Sequence, residues 1–560
     1  MHPLRCLPHR LPRRRHPHRK RRPKNRRPPP QRIPRPPRPR PPMITLTIDG
    51  QPVTVPEGST ILDAARALGL NIPTLCFLAG VKDNHPSCMA CVVRVTGQWN
   101  LQPACATKAR NGMIVASETP EVKAARKAAL ELLLSDHLGD CISVCQRVCP
   151  ARMEIPEVIR LVAAGKMQDA IARVKENVVF PGVLGRICRA PCEMGCRRRQ
   201  YDGAVAIQLI EREVANLDAA APHRFVPTCA PPTGKRVAVV GAGATGLSAA
   251  FFLLKRGHKV TAFDAATEPG GQMRQANLPR EVLDADIATI GAIGLEFRGN
   301  TRLGREVTLD ELRRDYHAVI LAVGPMAKTN HADLGVPATE KMIKVSAKDF
   351  QTEIPGVFAG GSCIRNGWDP ARSVGDGHLL AESVDAFLAA RPWQIAPKEF
   401  TTTIPKLSPA EYRELGKGAN SELSVRELVS EAEKAAGRCC HCDCRAAADC
   451  KLRLYAAAYG ADPKKFAGER RRLFEVIRQP GGVIFEPGKC ISCGICVAIA
   501  EQAREPLGLV FIGRGFDVKV GVPLNASLAD GLRKVGADCV KHCPTGALAF
   551  ESAEPPRRTI

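Results

Sequence analysis

Cysteine placement limits what this chain can fold into more than any other feature. Twenty-three of its 560 residues are Cys, and most fall into short-period groups. Cys88 and Cys91 lie between the outlying Cys76 and Cys105. Cys141, Cys145 and Cys149 form one run, and Cys188, Cys192 and Cys196 another. Five more crowd between Cys439 and Cys450, and Cys490, Cys493 and Cys496 precede Cys539 and Cys543. No signal peptide and no run of about 18 apolar residues is visible, so neither secretion nor a membrane span is expected, and a cytoplasmic location is. Thiols in such a chain read as metal or redox ligands before disulfides. The length allows about three to five domains, each with its own core.

The first group has the spacing C-x11-C-x2-C-x13-C. Two irons bridged by sulfide need four converging thiolates, and a close pair with two outlying cysteines supplies them. Zinc is the plainer alternative, but it usually takes two C-x2-C pairs. Upstream, "MITLTIDGQPVTVPEGSTILDAARALGL" predicts a hairpin, with Thr45, Thr47, Val53 and Val55 alternating around "DGQP". A helix follows, with Ser59 as its expected cap. This stretch resembles the [2Fe–2S] ferredoxin-like domain of the large iron–sulfur subunit of complex I and of related formate dehydrogenases and hydrogenases. The resemblance implies a β-grasp-type domain over residues 43–117, with Cys76, Cys88, Cys91 and Cys105 as ligands.

"TPEVKAARKAALELLLSDHLGDC" predicts a helix capped by Thr119 with Pro120 at its first position. The helix delivers His137 four residues before Cys141, and in the complex I relatives such an H-x3-C begins a histidine-ligated cluster. This sequence then departs from them. "CISVCQRVCP" and "CRAPCEMGC" instead resemble the helical N-terminal domain of glutamate synthase small subunits and dihydropyrimidine dehydrogenase. That resemblance implies two [4Fe–4S] clusters sharing Cys141, Cys145, Cys149, Cys188, Cys192 and Cys196. His137 and Glu211 in "VAIQLIERE" stand where two non-cysteine ligands would be. An ordinary solvated helix glutamate remains the alternative at Glu211.

"KRVAVVGAGATGLSAAFFLLKRGHKVTAFD" reads as strand, glycine turn, helix and second strand. Gly241 permits the tight turn, Gly243 the approach of a pyrophosphate, and Gly246 close strand–helix packing, while Asp264 ends the second strand facing a ribose. With "ATEPGGQMR", which contains Gly271, and the returning "PGVFAGGS", which ends on Gly361 and Ser362, the segment resembles the FAD domain of glutamate synthase small subunits. In that family the last position is usually aspartate, bonding the ribityl chain; here it is serine. The family also inserts an NAD(P)H domain between the two flavin segments. Only residues 325–355 separate them here, with no glycine fingerprint. One βαβ unit alone needs about 30 residues, so a second nucleotide domain is not expected.

"KCISCGICV" and "CVKHCPTGAL" fit one [4Fe–4S] site of Cys490, Cys493, Cys496 and Cys543, in the bacterial ferredoxin pattern of three close cysteines and a remote one before proline. The segment resembles the ferredoxin-like part of the complex I and formate dehydrogenase family with one cluster lost. The run from Cys439 to Cys450 matches neither spacing and reads either as a further metal site or as a structural remnant.

The net charge of +25 is largely an effect of residues 1–42, which hold 16 Lys or Arg, 14 Pro and no acid, leaving +9 elsewhere. Such a stretch cannot build a core. It reads as a basic arm or as sequence ahead of a start at Met43, and nucleic-acid binding would rest on it alone. The expected architecture is multi-domain α/β and α+β. The arm (1–42) precedes the β-grasp-type [2Fe–2S] domain (43–117), an α-helical Fe–S domain (118–232) and a Rossmann-like FAD domain (233–396). A helical linker with the Cys-rich motif (397–480) and a C-terminal ferredoxin-like domain (481–560) complete it. No nucleophile–base or paired-carboxylate constellation stands out, so FAD, one [2Fe–2S] and about three [4Fe–4S] clusters would carry the chemistry. The expected role is a flavin and iron–sulfur oxidoreductase acting as the electron-transfer subunit of a larger complex. Its partner would be a formate dehydrogenase, hydrogenase, glutamate synthase-like protein or NAD(P)H-oxidising subunit. A self-sufficient NAD(P)H reductase and a non-catalytic cluster scaffold are the alternatives.

Overall fold

A computed structural model of the chain describes residues 42–81, 86–326, 331–395, 399–417, 419, 431–468, 471–478 and 482–550. The basic arm, Pro42 excepted, lies outside the described residues. The fold is mixed α/β with several sheets. Among the described residues no helix is long and apolar enough to cross a membrane.

The first unit is a mixed five-stranded sheet ordered β2-β1-β5-β3-β4, from β1 (Met43–Ile48), β2 (Gln51–Pro56), β3 (Val92–Val95), β4 (Gln102–Pro103) and β5 (Ile114–Ala116). Asp49 and Gly50 both take positive φ, 48° and 80°, the two-residue turn whose twist suits a hairpin. Alternation along β1 and β2 buries Leu46, Ile48, Val53 and Val55 against Ile61 and Leu62 of α1 (Ile61–Ala67). The cap of α1 is Thr60 rather than the expected Ser59. Thr60 has the extended backbone a cap needs and exchanges hydrogen bonds with Asp63, whereas the Ser59 amide is spent on the Pro56 carbonyl.

A helical stretch follows: α2 (Pro120–Ser135), α3 (Val144–Val148), α4 (Ile155–Ala163), α5 (Met167–Lys175), α6 (Pro181–Ile187), α7 (Pro191–Met194) and α8 (Ile207–Ala220). Thr119 caps α2 as expected, accepting from the Val122 amide at 3.3 Å. Helices α6 and α8 touch at Gly185, where a Cβ would come within 2.7 Å of the Arg212 backbone.

The third unit is a parallel sheet ordered β10-β9-β6-β7-β8, built from β6 (Arg236–Val240), β7 (Lys259–Phe263), β8 (Glu296–Arg298), β9 (Ala318–Leu321) and β10 (Val357–Ala359). Its helices are α9 (Ala244–Lys255), α10 (Arg280–Ala292), α11 (Leu309–Asp315) and α12 (Pro370–Leu388). Between β9 and β10 the described residues form only a 3-10 turn, His331–Leu334, and isolated bridges, with no strand–helix unit. The helical stretch and this sheet share one apolar core, from Val158 and Phe180 to Leu247, Phe251 and Val374.

Where α12 crosses α9, the His378 ring stacks on Phe252 at 3.9 Å, and its Nδ1 is shielded without a partner. Burial, with Arg256 and Arg152 nearby, lowers its pKa to about 3. Unfolded histidine takes a proton near pH ~6.5, so below that the unfolded chain binds more protons and stability falls with pH, by at most ~1.4 kcal/mol per unit. His378→Phe should flatten this acid loss while leaving stability at pH 8 nearly unchanged. Thermal release of bound flavin at pH 5 and pH 8 is the check.

The C-terminal part holds α13 (Pro409–Gly416), α14 (Glu431–Ala436) and α15 (Lys451–Ala458), then β11 (Ile477–Arg478) and β12 (Val483–Phe485). After α16 (Ile495–Gln502) come the ribbon strands β13 (Val510–Ile512) and β14 (Lys519–Gly521), α17 (Leu528–Gly531), α18 (Gly536–His542) and β15 (Leu548–Phe550). The sheet runs β11-β12-β15. α14 docks its Ala432, Ala435 and Ala436 into the helical core, so this segment is not a free linker.

Candidate redox-cofactor sites

Cys76, Cys88, Cys91 and Cys105 are all buried and meet in pairs, with Sγ–Sγ distances of 3.3 Å for Cys76–Cys88 and 3.4 Å for Cys91–Cys105. Met89, between the close cysteines, takes φ 54°, and the Ala104 amide donates to the Cys91 carbonyl, drawing the two arms of the loop together. Hydrogen bonds from neighbouring thiols hold Cys76 and Cys91 below the usual thiol range, Cys91 at about 7, and push Cys88 and Cys105 up. Protons crowded onto four facing sulfurs are readily displaced by metal.

Cys149 ends α3, Cys188 ends α6, and Cys192 lies in α7. Glu211 faces them from the buried side of α8. Its Oε1 has no hydrogen-bond partner, and burial pushes the carboxyl up to about 8. Burial comes first among the causes raising Cys149 and Cys188, each to about 11, and Glu211 adds to it at both. The solvated-glutamate alternative therefore does not describe this side chain, since an unpartnered buried carboxyl is costly unless something binds it.

His137 faces the C-terminal part rather than Cys145, Cys149, Cys188, Cys192 and Cys196, contrary to expectation. It lies beside Lys489 and Arg472, its Nδ1 shielded and unpartnered, with burial lowering its pKa to about 4. The reason is that the chain leaves α2 toward the C-terminal part, where the Leu138 amide donates to the Gly488 carbonyl at 2.7 Å. Asp140 pairs in parallel with Asp443, which brings Cys141 alongside Cys444. Arg197 clamps Asp140 through two hydrogen bonds. Cys444 Sγ points at Gly546, where a Cβ would sit 2.3 Å away, and Cys450 Sγ lies 3.8 Å from the Pro544 carbonyl. Cys145 and Cys196 remain with the helical core.

Cys490, Cys493, Cys496 and Cys543 line one cavity with Gly494, Pro544 and Thr545. Beneath it the fully buried Lys489 bonds Glu486 at 2.5 Å. Cys493 shares a contact cluster with Cys76, Cys88 and Cys450, so the first and last cysteine sites adjoin.

In the parallel sheet Gly241 has φ +102°, and a Cβ there would meet the Ala322 carbonyl at 2.2 Å. One on Gly246 would meet the Gly241 carbonyl at 1.9 Å, whereas one on Gly243 would meet nothing within 4 Å. The open space lies where the fingerprint calls for a pyrophosphate, at the start of α9, so the residues present fit a bound dinucleotide. Gly271 closes on Gly243, and Gly361 on Thr245. Asp264 does something the sequence did not suggest: its carboxylate accepts the Ala242 and Ala266 amides at 2.7 and 2.8 Å, pinning the glycine turn. Ser362 is half-buried in the turn ahead of α12. That helix passes against the Cys149 loop, with the Pro150 carbonyl 2.1 Å from where a Cβ on Gly375 would be.

Among the described residues no three His, Cys, Asp or Glu side chains converge as a single metal ion requires. A cluster, whose ligands sit on separate corners, asks for a wider spread. Sequence reasoning missed the nearness of Cys439 and Cys442 to the helical stretch, and the buried Lys489. Spacing carries no signal for either.

Family models match three segments: a 2Fe-2S iron–sulfur cluster binding domain over 42–120, dihydropyrimidine dehydrogenase domain II with its 4Fe-4S cluster over 136–222, and pyridine nucleotide-disulphide oxidoreductase over 180–376. The NADP(+)-dependent formate dehydrogenase subunit beta of Moorella thermoacetica is 37% identical over 205 residues, 32% of this chain and 29% of that protein. The glutamate synthase [NADPH] small chain of Mycobacterium tuberculosis is 36% identical over 208 residues, 36% of this chain and 42% of the relative. The NADP-reducing hydrogenase subunit HndD of Solidesulfovibrio fructosivorans is 50% identical over 109 residues, 19% and 18% respectively. Each match spans less than half of the relative's own length. The chain thus carries [2Fe–2S], [4Fe–4S] and pyridine nucleotide oxidoreductase domains, and its homologues are glutamate synthase small chains and subunits of formate dehydrogenase and hydrogenase.

Proposed function

We propose that this chain is a flavin and iron–sulfur electron-transfer subunit of a larger oxidoreductase, working in the cytoplasm. The observation that carries the reading is the succession of candidate ligand groups across the fold. It runs from α12 beside the flavin turn, through Glu211 and the helical cysteines, to Cys493 packed against Cys76. When bound, FAD would interconvert one- and two-electron chemistry, and clusters would pass single electrons.

The residues divide that labour. Gly241, Gly243, Gly246 and Gly271 would shape the cradle for the pyrophosphate, Asp264 fixes the turn, and Gly361 and Ser362 would close on the ribityl side. Cys76, Cys88, Cys91 and Cys105 would hold the [2Fe–2S] cluster in a β-grasp-type domain. Cys149, Cys188, Cys192 and Glu211 would hold one [4Fe–4S] cluster, with the carboxylate altering its charge and potential. His137, Cys141, Cys444 and Cys450 gather about Lys489 as a second set. Cys490, Cys493, Cys496 and Cys543 make a third in the ferredoxin-like domain. The boundaries near 117, 232, 396 and 480 separate these units in sequence, though not in packing.

Electrons would enter and leave through a partner: a formate dehydrogenase, a hydrogenase, a glutamate synthase-like protein or an NAD(P)H-oxidising subunit. The short β9–β10 connection leaves the Rossmann-like FAD unit without the second nucleotide domain of the family. Anaerobic titration followed by flavin absorbance and cluster EPR tests the reading. Dithionite should reduce the centres, and neither NADH nor NADPH should. Rapid bleaching of the flavin by stoichiometric nucleotide would instead make the chain a reductase in its own right, and absence of stoichiometric FAD would make it a scaffold.

A further inference from the structure

The loop Cys439-Cys440-His441-Cys442 has the same local geometry as the loop Cys490-Ile491-Ser492-Cys493. In each, the residue two after the first cysteine stands in the left-handed region, His441 at φ 44° and Ser492 at φ 52°. In each, that residue's amide donates to the first cysteine's sulfur at 3.4 Å. A side chain other than glycine rarely adopts this backbone without something to compensate. At Cys490 the compensation is a cavity lined by four cysteines.

The Cys439 loop is also carried to a defined place. Arg198, two residues after Cys196, donates to the carbonyl of Arg438, immediately ahead of Cys439. Arg438 donates back to the Asp202 carbonyl at 3.1 Å. Beyond Cys442, Asp443 pairs in parallel with Asp140 and is held by Arg160 of α4. Cys145, Cys196 and Cys439 accordingly pack against the same core. Once Cys149, Cys188, Cys192 and Glu211 are taken as one set, Cys145 and Cys196 are left as half a site, and Cys439 and Cys442 are the other half. Cys440 is buried within an apolar patch with Leu138 and Leu415, which Cys442 only borders.

We propose that Cys145 and Cys196 from the helical stretch, with Cys439 and Cys442 from the Cys-rich segment, hold a [4Fe–4S] cluster. The assignment rests on the cluster-bearing reading above and adds a site with two ligands supplied from more than 240 residues away. Cys145 lies close enough to act electrostatically on both Cys439 and Cys442, and Cys196 on Cys145. On reduction the cluster takes up one electron, with no bond to the four sulfurs made or broken.

The test uses the full chain isolated without oxygen, with iron, acid-labile sulfide and FAD quantified and EPR recorded after dithionite. The double variant C439S/C442S should lose about four irons and four sulfides per FAD, one cluster's content, while FAD and the [2Fe–2S] signal stay as in the parent. C145S, made on the opposite half, should lose the same EPR component, and C440S should lose none. Unchanged iron in C439S/C442S, or different components lost from the two halves, overturns the assignment. Reduction by NADPH would sink the proposed electron-subunit role without altering this count, so the two can fail separately.

Discussion

Gly246→Val should strip FAD from the purified chain and leave its iron–sulfur absorbance in place. A Cβ at this position would lie 1.9 Å from the Gly241 carbonyl and 3.1 Å from Val239 Cγ1, so the clash is with backbone that has nowhere to go. Relief requires α9 to lift from β6, which moves the helix N-terminus away from the phosphates it is aimed at. FAD affinity should fall by at least ~100-fold, about 2.8 kcal/mol. Gly243→Ala separates fold from binding. Its methyl meets no protein atom within 4 Å and enters the space left for the pyrophosphate. That variant should keep the circular dichroism of the parent and still lose flavin absorbance. Retention of stoichiometric FAD by both variants would remove the glycine turn from the binding site.

Lys489→Met should cost the chain about 3–5 kcal/mol of stability, the usual penalty for stranding a buried charge. Burial alone would pull the Lys489 ammonium down. The Glu486 carboxylate, with the Cys444 thiol behind it, overcomes that and holds it above the ordinary lysine range. A lysine so raised gives its full stabilisation at neutral pH and loses it only as pH climbs past the usual lysine value. Methionine fills the same volume beside Gly139 but leaves Glu486, 8% exposed, without its partner. The double variant K489M/E486Q should recover most of the loss, because both charges are then gone. Chemical denaturation of the three proteins at pH 7 reads the result, and no recovery in the double variant would refute the ion-pair account.

Local signals were legible because local physics decides them. The Asp49–Gly50 turn, the Thr119 cap, the glycine fingerprint and the cysteines of residues 490–496 are all written within a few residues. Glu211 was half legible. It lies four residues after Ile207 and three before Val214, on the face α8 buries, and a helical projection would have turned it inward. The partners of His137 and Cys141 were not legible. Spacing predicts how a loop folds on itself, and nothing in "HLGDC" announces that Cys444 will lie alongside, since that pairing comes from tertiary contacts of Asp140, Asp443 and Arg197. Asp264 illustrates a different limit. A carboxylate at a strand end suits a ribose and a backbone turn equally well, and only the Ala242 and Ala266 amides reveal the second use.

The pairing of Asp140 with Asp443 also sets an order for biogenesis. A ribosome that has released the first 400 residues has made one side of a cleft whose other side is not yet translated. Cysteines there lack their facing partners until the segment around Asp443 has been made. Iron delivery to that seam would therefore follow synthesis of the segment around Asp443, whereas the Cys76–Cys105 pocket is complete early and could be loaded first. Cutting the chain anywhere between should divide the seam and leave neither piece with both of its sides.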